Sequence, residues 1–315
     1  MSIRIIKPGM LTTVQSGPRR GLRHLGVPAA GAADPLSLAL ANKLVGNDVE
    51  AAALEATLVG PRLRFEQPTR FALTGAVAEA TLNDDAVAYH ETREAGAGDE
   101  LFVGPAAEGC RVYIAFAGGI AAQPVLGSSS TYLPAALGGH RGRALREGDL
   151  LYLGADAPQV RLATPDDCRP PITTRWALRV CRSVETSALA PGQRGVLFDT
   201  HWRIGRRADR MGMALDGARL GVVTDGRMPS AAVFPGTIQC PDSGVPFLLS
   251  VDAQTTGGYP RVAQVARADR HLIGQMRPGD RVLLLPRQPE EAVDELRAKI
   301  RFWSRWLPDA ARVFH

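Results

Sequence analysis

The chain has 315 residues, a formal net charge of +5 and a sequence pI of about 9.3, with 45% hydrophobic and 22% charged residues. This length and composition are typical of a globular protein with two domains of ordinary size. The basic residues are almost all arginines interspersed with acids, so nucleic-acid binding is not indicated, whereas arginine suits the recognition of carboxylate, carbonate or phosphate groups.

The cysteines and the apolar segments argue against a zinc or disulfide protein and against a secreted or membrane protein. The four cysteines lie far apart and form no C-x-x-C pair, so neither a zinc site nor a disulfide framework is indicated. The N-terminal residues lack the apolar stretch of a secretory signal, and no apolar run is long enough to span a membrane. We therefore expect a reduced, cytoplasmic protein with no bound metal.

The N-terminal part is predicted to form two strands, an ordered loop and a helix. Residues 2–14 have the pattern of two strands around a Pro-Gly turn, and residues 15–28 are rich in glycine, proline and arginine. Asp34 suits an N-cap and Pro35 the first helical position, while Gly46-Asn47 suits the end of the helix. Apolar side chains at helical spacing between them predict one buried face.

Short strands separated by turns follow the helix, including predicted strands at residues 100–103 and 112–117. A Gly-Asp turn before an apolar strand recurs, which indicates two related barrels. We therefore predict a mainly β fold with two β-barrel domains, a few helices and a C-terminal helix. The predicted domains are residues 1–165 and 172–287, the helix spans 289–307, and the recurring turns are Gly98-Asp99, Gly148-Asp149 and Gly279-Asp280.

The segment from Asp252 to Pro260 is the strongest candidate for a site. It follows an apolar run, residues 247–251, which is typical of a buried strand. An acid, an amide, two hydroxyls, two glycines and a phenol then occur within a few residues. Gly257-Gly258 allows a tight turn or the close approach of a ligand. The segment therefore predicts a ligand-binding loop on a rigid strand, or alternatively a solvated hairpin turn.

Two other segments carry polar groups. Asp209-Arg210, before Gly212, could orient a planar carboxylate or carbamoyl group through the guanidinium, or could be a structural ion pair. Residues 127–132 are rich in hydroxyls and could donate to an anion, or form a solvated turn. No P-loop, G-x-G-x-x-G, H-E-x-x-H or G-x-S-x-G motif is present, so none of these common chemistries is indicated.

Taken together, these motifs resemble one family over nearly the whole chain, from about residue 5 to 285. It is the family of the C subunit of 5-oxoprolinase, also described as allophanate hydrolase subunit 2 or biotin-dependent carboxyltransferase-like proteins. The matching motifs, in order, are Thr12–Gln15, Gly26–Pro28, Asp34–Asn47, Leu54-Glu55, Gly60-Pro61, Gly127-Ser128, Gly138-Gly139, Gly142-Arg143, Asp209–Gly212, Gly236–Gln239 and Gln254–Pro260.

The resemblance implies two tandem cyclophilin-like β-barrels and an activity that depends on partners. With A-like and B-like partner proteins of the same complex, such a chain opens 5-oxoproline to glutamate at the expense of ATP, and the nucleotide is expected mainly on a partner. The related module of urea carboxylase transfers a carboxyl group from biotin to urea. A third possibility is a non-catalytic regulator of a B-like partner. None of the three lysines lies between methionines, so this chain is not expected to carry biotin.

The resemblance also implies a set of site residues, which we expect to meet in one polar cleft. Arg210 is expected to contact the substrate carboxylate or lactam and Asp209 to orient Arg210. The expected catalytic residues are Asp209, Arg210, Thr255 and Tyr259. The expected substrate-binding residues are Thr13, Gln15, Arg19, Gln254, Thr256, Gly257 and Gly258.

The chain also departs from the family pattern inside these polar motifs. Family members usually carry aspartate at Ser16, glycine at Pro18, and arginine at Ser129 and Ala253. This chain therefore lacks several hydrogen-bonding side chains that family members carry in these polar motifs. The departures indicate a paralogue with an altered substrate or with weak activity.

Overall fold

The computed structural model describes residues 1–154, 158–223 and 228–314, which are built mainly from β-strands with few helices. The mainly β fold is thus confirmed. The chain divides into two units, and each is described by itself. Unit 1 comprises Met1–Arg19, Ala30–Ile172 and Trp303–Val313, and unit 2 comprises Arg20–Ala29, Thr173–Phe302 and Phe314. The division near residue 172 follows a proline-rich segment, residues 164–171, but the segment 20–29 belongs to unit 2 rather than to the first predicted domain.

Unit 1 is organised around one nine-stranded sheet. Its central path runs β2-β3-β8-β4-β1-β9, and β5 pairs with β6, β7 and β8. The strands are β1 Ser2–Lys7, β2 Leu11–Gln15, β3 Ala53–Thr57, β4 Arg62–Phe65, β5 Thr69–Leu82, β6 Asp85–Ala86, β7 Arg93–Ala95, β8 Glu100–Phe116 and β9 Leu150–Tyr152.

The separate strands predicted at residues 100–103 and 112–117 are parts of the single strand β8. Gly104-Pro105 and Gly109, which lie between the two predicted strands and are typical of turns, are within this strand. The register between β5 and β8 shifts at several points between Gly75 and Ala80. Such bulges accommodate glycine and proline without ending a strand.

Helix α1 spans Pro35–Leu44 and confirms the predicted start signal. The Asp34 side chain accepts a hydrogen bond from the backbone N–H of Ser37 at 3.1 Å. Gly46 has a φ of 80°, which suits the chain reversal after the helix. The helix packs on the sheet through Leu38, Ala41 and Leu44, all of which are buried.

Unit 2 contains a closed barrel with the strand order β10-β17-β14-β15-β12-β11-β18. Its core includes fully buried Trp202, Leu178 and Leu284. The remaining strands, β13 and β16, form a separate two-stranded sheet. The strands are β10 Arg175–Arg182, β11 Trp202–Ala208, β12 Gly212–Asp216, β13 Ala231–Ala232, β14 Thr237–Gln239, β15 Phe247–Leu249, β16 Thr256–Gly257, β17 Arg261–Val265 and β18 Arg281–Arg287.

The recurring Gly-Asp turns adopt the same hydrogen-bonding pattern in both units. In each turn the glycine N–H donates to a strand residue, and that residue's N–H donates back to the aspartate carbonyl. Each aspartate side chain also accepts the backbone N–H three residues earlier, at 2.6, 2.8 and 3.2 Å. The glycine and aspartate pairs and their strand partners are Gly98-Asp99 with Phe65, Gly148-Asp149 with Ile5, and Gly279-Asp280 with Ile204.

Three further helices lie in the described part of the chain: α2 Gln193–Asp199, α3 Pro289–Trp303 and α4 Ala310–Val313. Helix α2 and a 3₁₀ stretch, Arg267–Gln275, were not predicted from the sequence. Helix α3 ends at Trp303, earlier than predicted, and its Lys299 ammonium donates to the carbonyl of Ala268 at 2.7 Å. No helix in the described residues has the length and apolar character needed to cross a membrane.

Candidate functional site

The segment from Asp252 to Pro260, which we call the Gln254 loop, leaves the barrel strand β15. This strand ends at Leu249, before the predicted end at Val251. The backbone N–H of Ala253 then donates to the carbonyl of Ser250 at 3.1 Å, forming a tight turn. The polar loop is therefore attached directly to a buried barrel strand, as predicted.

A buried ion pair holds the start of the Gln254 loop. Arg210 Nε donates to Asp252 Oδ2 at 2.7 Å, and Arg210 Nη2 donates to Asp252 Oδ1 at 2.9 Å. Arg210 is 6% exposed and Asp252 is 1% exposed. The backbone N–H of Asp252 also donates to the carbonyl of Arg210 at 2.8 Å. This paired, two-point geometry is the strong form of an arginine–carboxylate interaction.

Asp252 thus occupies the bidentate position that sequence analysis assigned to a substrate carboxylate. The expectation that Asp209 orients Arg210 also needs correction. Asp209 is exposed, and its Oδ1 accepts the backbone N–H groups of Met211 at 2.7 Å and Gly212 at 3.2 Å. Asp209 therefore stabilises the turn between β11 and β12, and Arg210 connects that turn to the Gln254 loop.

The middle of the Gln254 loop is fixed by a short antiparallel pairing of β16 with β13. Next to it, the backbone N–H of Val233 donates to the carbonyl of Thr255 at 3.0 Å. Arg261 supports β13 by donating from Nη1 to the carbonyl of Ala232 at 2.8 Å, while its other nitrogens bind Glu185. The loop backbone is consequently held on both sides.

Gln239, which is 2% exposed, fixes the rest of the loop from strand β14. Its Nε2 donates to the carbonyl of Tyr259 at 3.2 Å, and its Oε1 accepts from Gln254 Nε2 at 3.4 Å. An added Cβ at Gly257 would lie 2.6 Å from Gln239 Nε2. A side chain at this position would therefore displace the Gln239 amide from its hydrogen bonds to the loop.

The polar side chains of the loop differ in their exposure. Gln254 and Thr255 are half-buried, whereas Thr256 and Gly258 are exposed, and Tyr259 is 51% exposed. The hydroxyls of Thr256 and Tyr259 are thus presented by a backbone that other residues hold in place. Such a loop can offer hydrogen-bond donors to a polar ligand without much loss of conformational entropy.

Arg23 contacts the Gln254 loop and was not predicted as a site residue. Its Nη2 donates to the carbonyl of Gln254 at 3.1 Å and to that of Val233. The guanidinium lies 5.3 Å from the ring centroid of Phe234. Burial lowers the pKa of Arg23. The only sequence signal for Arg23 was its position in the arginine-rich loop, from which Arg19 was the predicted site residue.

The predicted site residues of unit 1 are buried within that unit. Thr13 is 1% exposed, and Gln15 and Arg19 are 0% exposed. Gln15 Nε2 donates to Thr13 Oγ1 at 3.0 Å and to the carbonyl of Thr131 at 3.1 Å. Arg19 Nε donates to the carbonyl of Val125 at 3.1 Å. The structure thus brings these three side chains into the polar interior beside residues 125–131.

The hydroxyl-rich segment 127–132 also points its polar groups into unit 1. Ser128 Oγ donates to the carbonyl of Gly17 at 2.6 Å, and Thr131 Oγ1 donates to that of Val14 at 2.9 Å. Ser130 Oγ donates to the carbonyl of Ser16 at 3.1 Å. These hydroxyls attach one loop to another, which is neither the solvated turn nor the anion-binding loop considered from the sequence.

Metal and thiol chemistry have no evident site in the described residues. No cluster of three or more His, Cys, Asp or Glu side chains there could hold a metal ion. The four cysteines are free, and only Cys181 is not fully buried. Burial raises the pKa of Cys181 and of Cys168, and raises that of Cys240 to about 11. The thiols of Cys168, Cys181 and Cys240 are therefore protonated near neutral pH.

A family match identifies the class of protein that has the barrel of unit 2 and its polar loop. The chain belongs to the family described as "Carboxyltransferase domain, subdomain A and B", which matches residues 25–286. It is 36% identical over 305 residues to the C subunit of 5-oxoprolinase from Escherichia coli, covering 96% of this chain and 97% of that protein. It is 35% identical over 270 residues to the C subunit of 5-oxoprolinase from Haemophilus influenzae, covering 86% of each.

A solved structure is similar over most of the chain. The urea amidolyase of K. lactis superposes with a TM-score of 0.90 at 29% identity, covering 95% of this chain but 19% of the larger enzyme. The present chain therefore corresponds to one portion of that enzyme. The family resemblance inferred from the sequence motifs is confirmed.

Proposed function

We propose that this chain is the C component of an ATP-dependent 5-oxoprolinase, which opens 5-oxo-L-proline to L-glutamate together with A-like and B-like partner proteins. The similarity to the E. coli C subunit, which spans 97% of that protein, carries the proposal. The chain would act as part of a hydrolase complex and contribute the Gln254 loop to the substrate site.

The Gln254 loop would hold the lactam through groups fixed in advance. The hydroxyls of Thr255, Thr256 and Tyr259 and the amide of Gln254 would donate to the ring carbonyl oxygen. Negative charge would develop on this oxygen as the carbonyl carbon is attacked, before the C–N bond breaks. Donors that need no reorganisation stabilise such charge effectively. Gly257-Gly258 would let the small ring approach the backbone closely.

Within this proposal, Arg210 is a positioning residue. Its two-point ion pair with Asp252 holds that residue, the first of the Gln254 loop, against the turn between β11 and β12. Asp209 stabilises this turn. The proposed catalytic contribution of Asp209 and Arg210 is therefore the placement of Thr255 and Tyr259, and not direct contact with the lactam.

In unit 1, Gln15 is the proposed substrate-binding group. Its Oε1 is buried and has no hydrogen-bond partner among the described residues, so it could accept a hydrogen bond from a ligand amide N–H. Thr13 orients the opposite end of this amide. Arg19 would support the neighbouring segment through the carbonyl of Val125.

ATP would be bound mainly on a partner protein, because this sequence contains no phosphate-binding P-loop motif. ATP would supply the free energy that drives ring opening. Biotin enters only the second candidate function and would be attached to another chain or domain, since none of the three lysines lies between methionines.

A second candidate is the carboxyltransferase component of a biotin-dependent urea carboxylase or allophanate system. The TM-score of 0.90 with the K. lactis urea amidolyase favours it. Both reactions act on a carbonyl flanked by nitrogen, so one set of oxyanion donors would serve either chemistry.

The test is co-expression and co-purification with the neighbouring gene products that resemble the A and B components. ATP-dependent release of glutamate from 5-oxo-L-proline would support the proposal. Avidin-sensitive carboxyl transfer to urea without glutamate release would favour the second candidate. Tight binding to the B-like partner with neither activity would instead identify a regulatory partner.

A matched pair of variants tests the loop itself. Tyr259→Phe removes a hydroxyl from a side chain that is 51% exposed, and Tyr152→Phe does so in unit 1 at 63% exposure. Loss of one oxyanion donor should lower kcat by about 10²–10³-fold. Only Tyr259→Phe should have this effect, and equal rates for both variants would remove the Tyr259 hydroxyl from the site.

A further inference from the structure

Three arginines form a row across neighbouring strands of the unit 2 barrel. Strand β18 lies between β10 and β11, and its Arg281 is paired in register with Arg175 on β10 and with Arg203 on β11. Because successive side chains of a strand point to opposite faces, the three arginines share the outer face of the barrel, and all three are exposed. The residues next to them in each strand are buried in the barrel core, at 5% exposure or less: Trp176, Trp202 and Val282.

The arginine row brings like charges together without a direct acidic partner. In the part of the chain that the structure describes, Arg175, Arg203 and Arg281 form no ion pair with a carboxylate. Arg179, further along β10, differs because it binds Asp269 through two nitrogens. Like charges directly opposite each other in a sheet are destabilising. A bound anion would therefore relieve the repulsion within the row.

Two aspartates near the row are engaged by other groups. Asp280, just before β18, is 3% exposed, and its Oδ2 accepts the indole N–H of Trp176 at 2.8 Å. Asp216 lies opposite Arg203 on β12, and its Oδ2 would be 2.9 Å from a Cβ added at Gly205. The three arginines and Asp216 together leave an excess of two positive charges on this outer face of the barrel.

A surface pocket of about 400 Å³ joins two arginines of the row. Arg175, Arg281 and His201 line it, and all three residues are exposed. The rest of its lining comes from Trp176, Ala177, Val282 and Leu283. A guanidinium offers paired N–H groups that match the oxygens of an anion, and a neutral imidazole offers one N–H. The pocket thus surrounds one accessible space with several donors.

We propose that this pocket binds a phosphate group between Arg175 and Arg281, with His201 as a further donor. A phosphate dianion matches the excess of two positive charges and has enough oxygens to accept from two guanidiniums at once. A carboxylate has one charge and two oxygens, so it would use only part of this donor set. Arg203 would contribute through its charge. Phosphate binding here does not depend on the proposed reaction, and free phosphate and nucleotide phosphates share the chemistry that the pocket recognises.

Isothermal titration of the full chain at constant ionic strength would compare inorganic phosphate, ATP and acetate. The phosphate compounds should bind saturably, and acetate should not. Tighter binding of ATP, in competition with inorganic phosphate, would identify a nucleotide as the source of the phosphate group, whereas equal or weaker binding of ATP would identify free phosphate. Saturable binding of neither phosphate compound, or binding of acetate as tight as that of phosphate, would overturn the proposal.

Variants of the two pocket arginines test where the phosphate binds. Arg175→Gln and Arg281→Gln should each weaken phosphate binding about 10-fold, as expected for loss of a hydrogen bond to a charged group. Arg281→Lys should retain part of the affinity, because it keeps the charge but loses the planar fork. Arg146→Gln removes the same charge from an exposed position in unit 1 and should leave binding unchanged. Undiminished binding in both pocket variants, or an equal loss in Arg146→Gln, would refute the site.

Melting temperatures verify the folding of these variants and give a second measure of the site. Arg281→Gln removes the central cation of the row, so in phosphate-free buffer it should raise the melting temperature or leave it unchanged. Added phosphate should raise the melting temperature of the original chain more than that of Arg281→Gln, since a ligand stabilises the folded state that binds it. An equal rise in both proteins would show that phosphate acts elsewhere and would reject the pocket.

Discussion

Replacing Asp252 by Asn tests whether its ion pair with Arg210 holds the Gln254 loop in place. Asn has nearly the shape of Asp but no charge, so it removes the negative charge that Asp252 places beside the buried guanidinium of Arg210. Both residues are almost completely inaccessible, at 6% and 1% exposure, and two hydrogen bonds of 2.7 and 2.9 Å join them. The variant therefore removes one charge of a buried ion pair.

Removing one partner of a buried pair typically costs about 3–5 kcal/mol, whereas replacing both by apolar residues is often neutral. We expect Asp252→Asn to lower the free energy of unfolding by about 3–5 kcal/mol on this basis. The double variant Arg210→Met/Asp252→Leu should recover most of that loss. Asp294→Asn, in an exposed pair with Arg297, should change the free energy by about 0–1 kcal/mol.

Urea unfolding followed by tryptophan fluorescence measures these differences, since Trp176 and Trp202 are buried in unit 2. A cost below about 1 kcal/mol for Asp252→Asn would match an exposed pair and refute the reasoning. Arg210 would then be available for a substrate carboxylate, as sequence analysis expected. Reduced turnover by Asp252→Asn with an unchanged free energy of unfolding would also indicate that Arg210 is available for a substrate carboxylate.

Three further predictions concern single side chains. Gly257→Ala should displace the Gln239 amide, and loss of the hydrogen bonds that it makes should lower turnover and the melting temperature. Burial lowers the pKa of His90 from 6.5 to about 4, so the unfolded chain takes up the proton first as the pH falls. Stability should therefore decrease from pH 6.5 towards pH 4, by about 2 kcal/mol at pH 5, and His90→Asn should reduce this slope in urea unfolding. The buried Cys240 thiol should react with an aromatic disulfide reagent only after unfolding, and a rapid reaction in the native protein would contradict its burial.

Local signals in the sequence were sufficient for several elements. Asp34 and Pro35 marked the start of α1 because capping depends on residues within one turn of the helix. The Gly-Asp turns were recognisable for the same reason, and their common geometry in both units matches the predicted repeat. The Gln254 loop was identified because its polar residues are adjacent in the chain.

Strand boundaries were less predictable where pairing overrides local preference. Gly104-Pro105 and Gly109 suggested a break between two strands, but partners in β5 and bulges in the register keep β8 continuous. The 3₁₀ stretch Arg267–Gln275 was missed for a related reason. Its Asp269 is held by Arg179, a partner that lies 90 residues away in the chain.

The sequence by itself determined the mainly β class, the repeated turn, the first helix, the polar loop and, through the order of its motifs, the family. These depend on residues close together in the chain. Only the tertiary structure determined which charged side chains contact which partners. It paired Arg210 with Asp252 instead of Asp209, and it placed Arg23 against Gln254, which is 231 residues further along the chain. Contacts of this kind form when the barrel closes and its core is buried, so composition and residue spacing do not predict them.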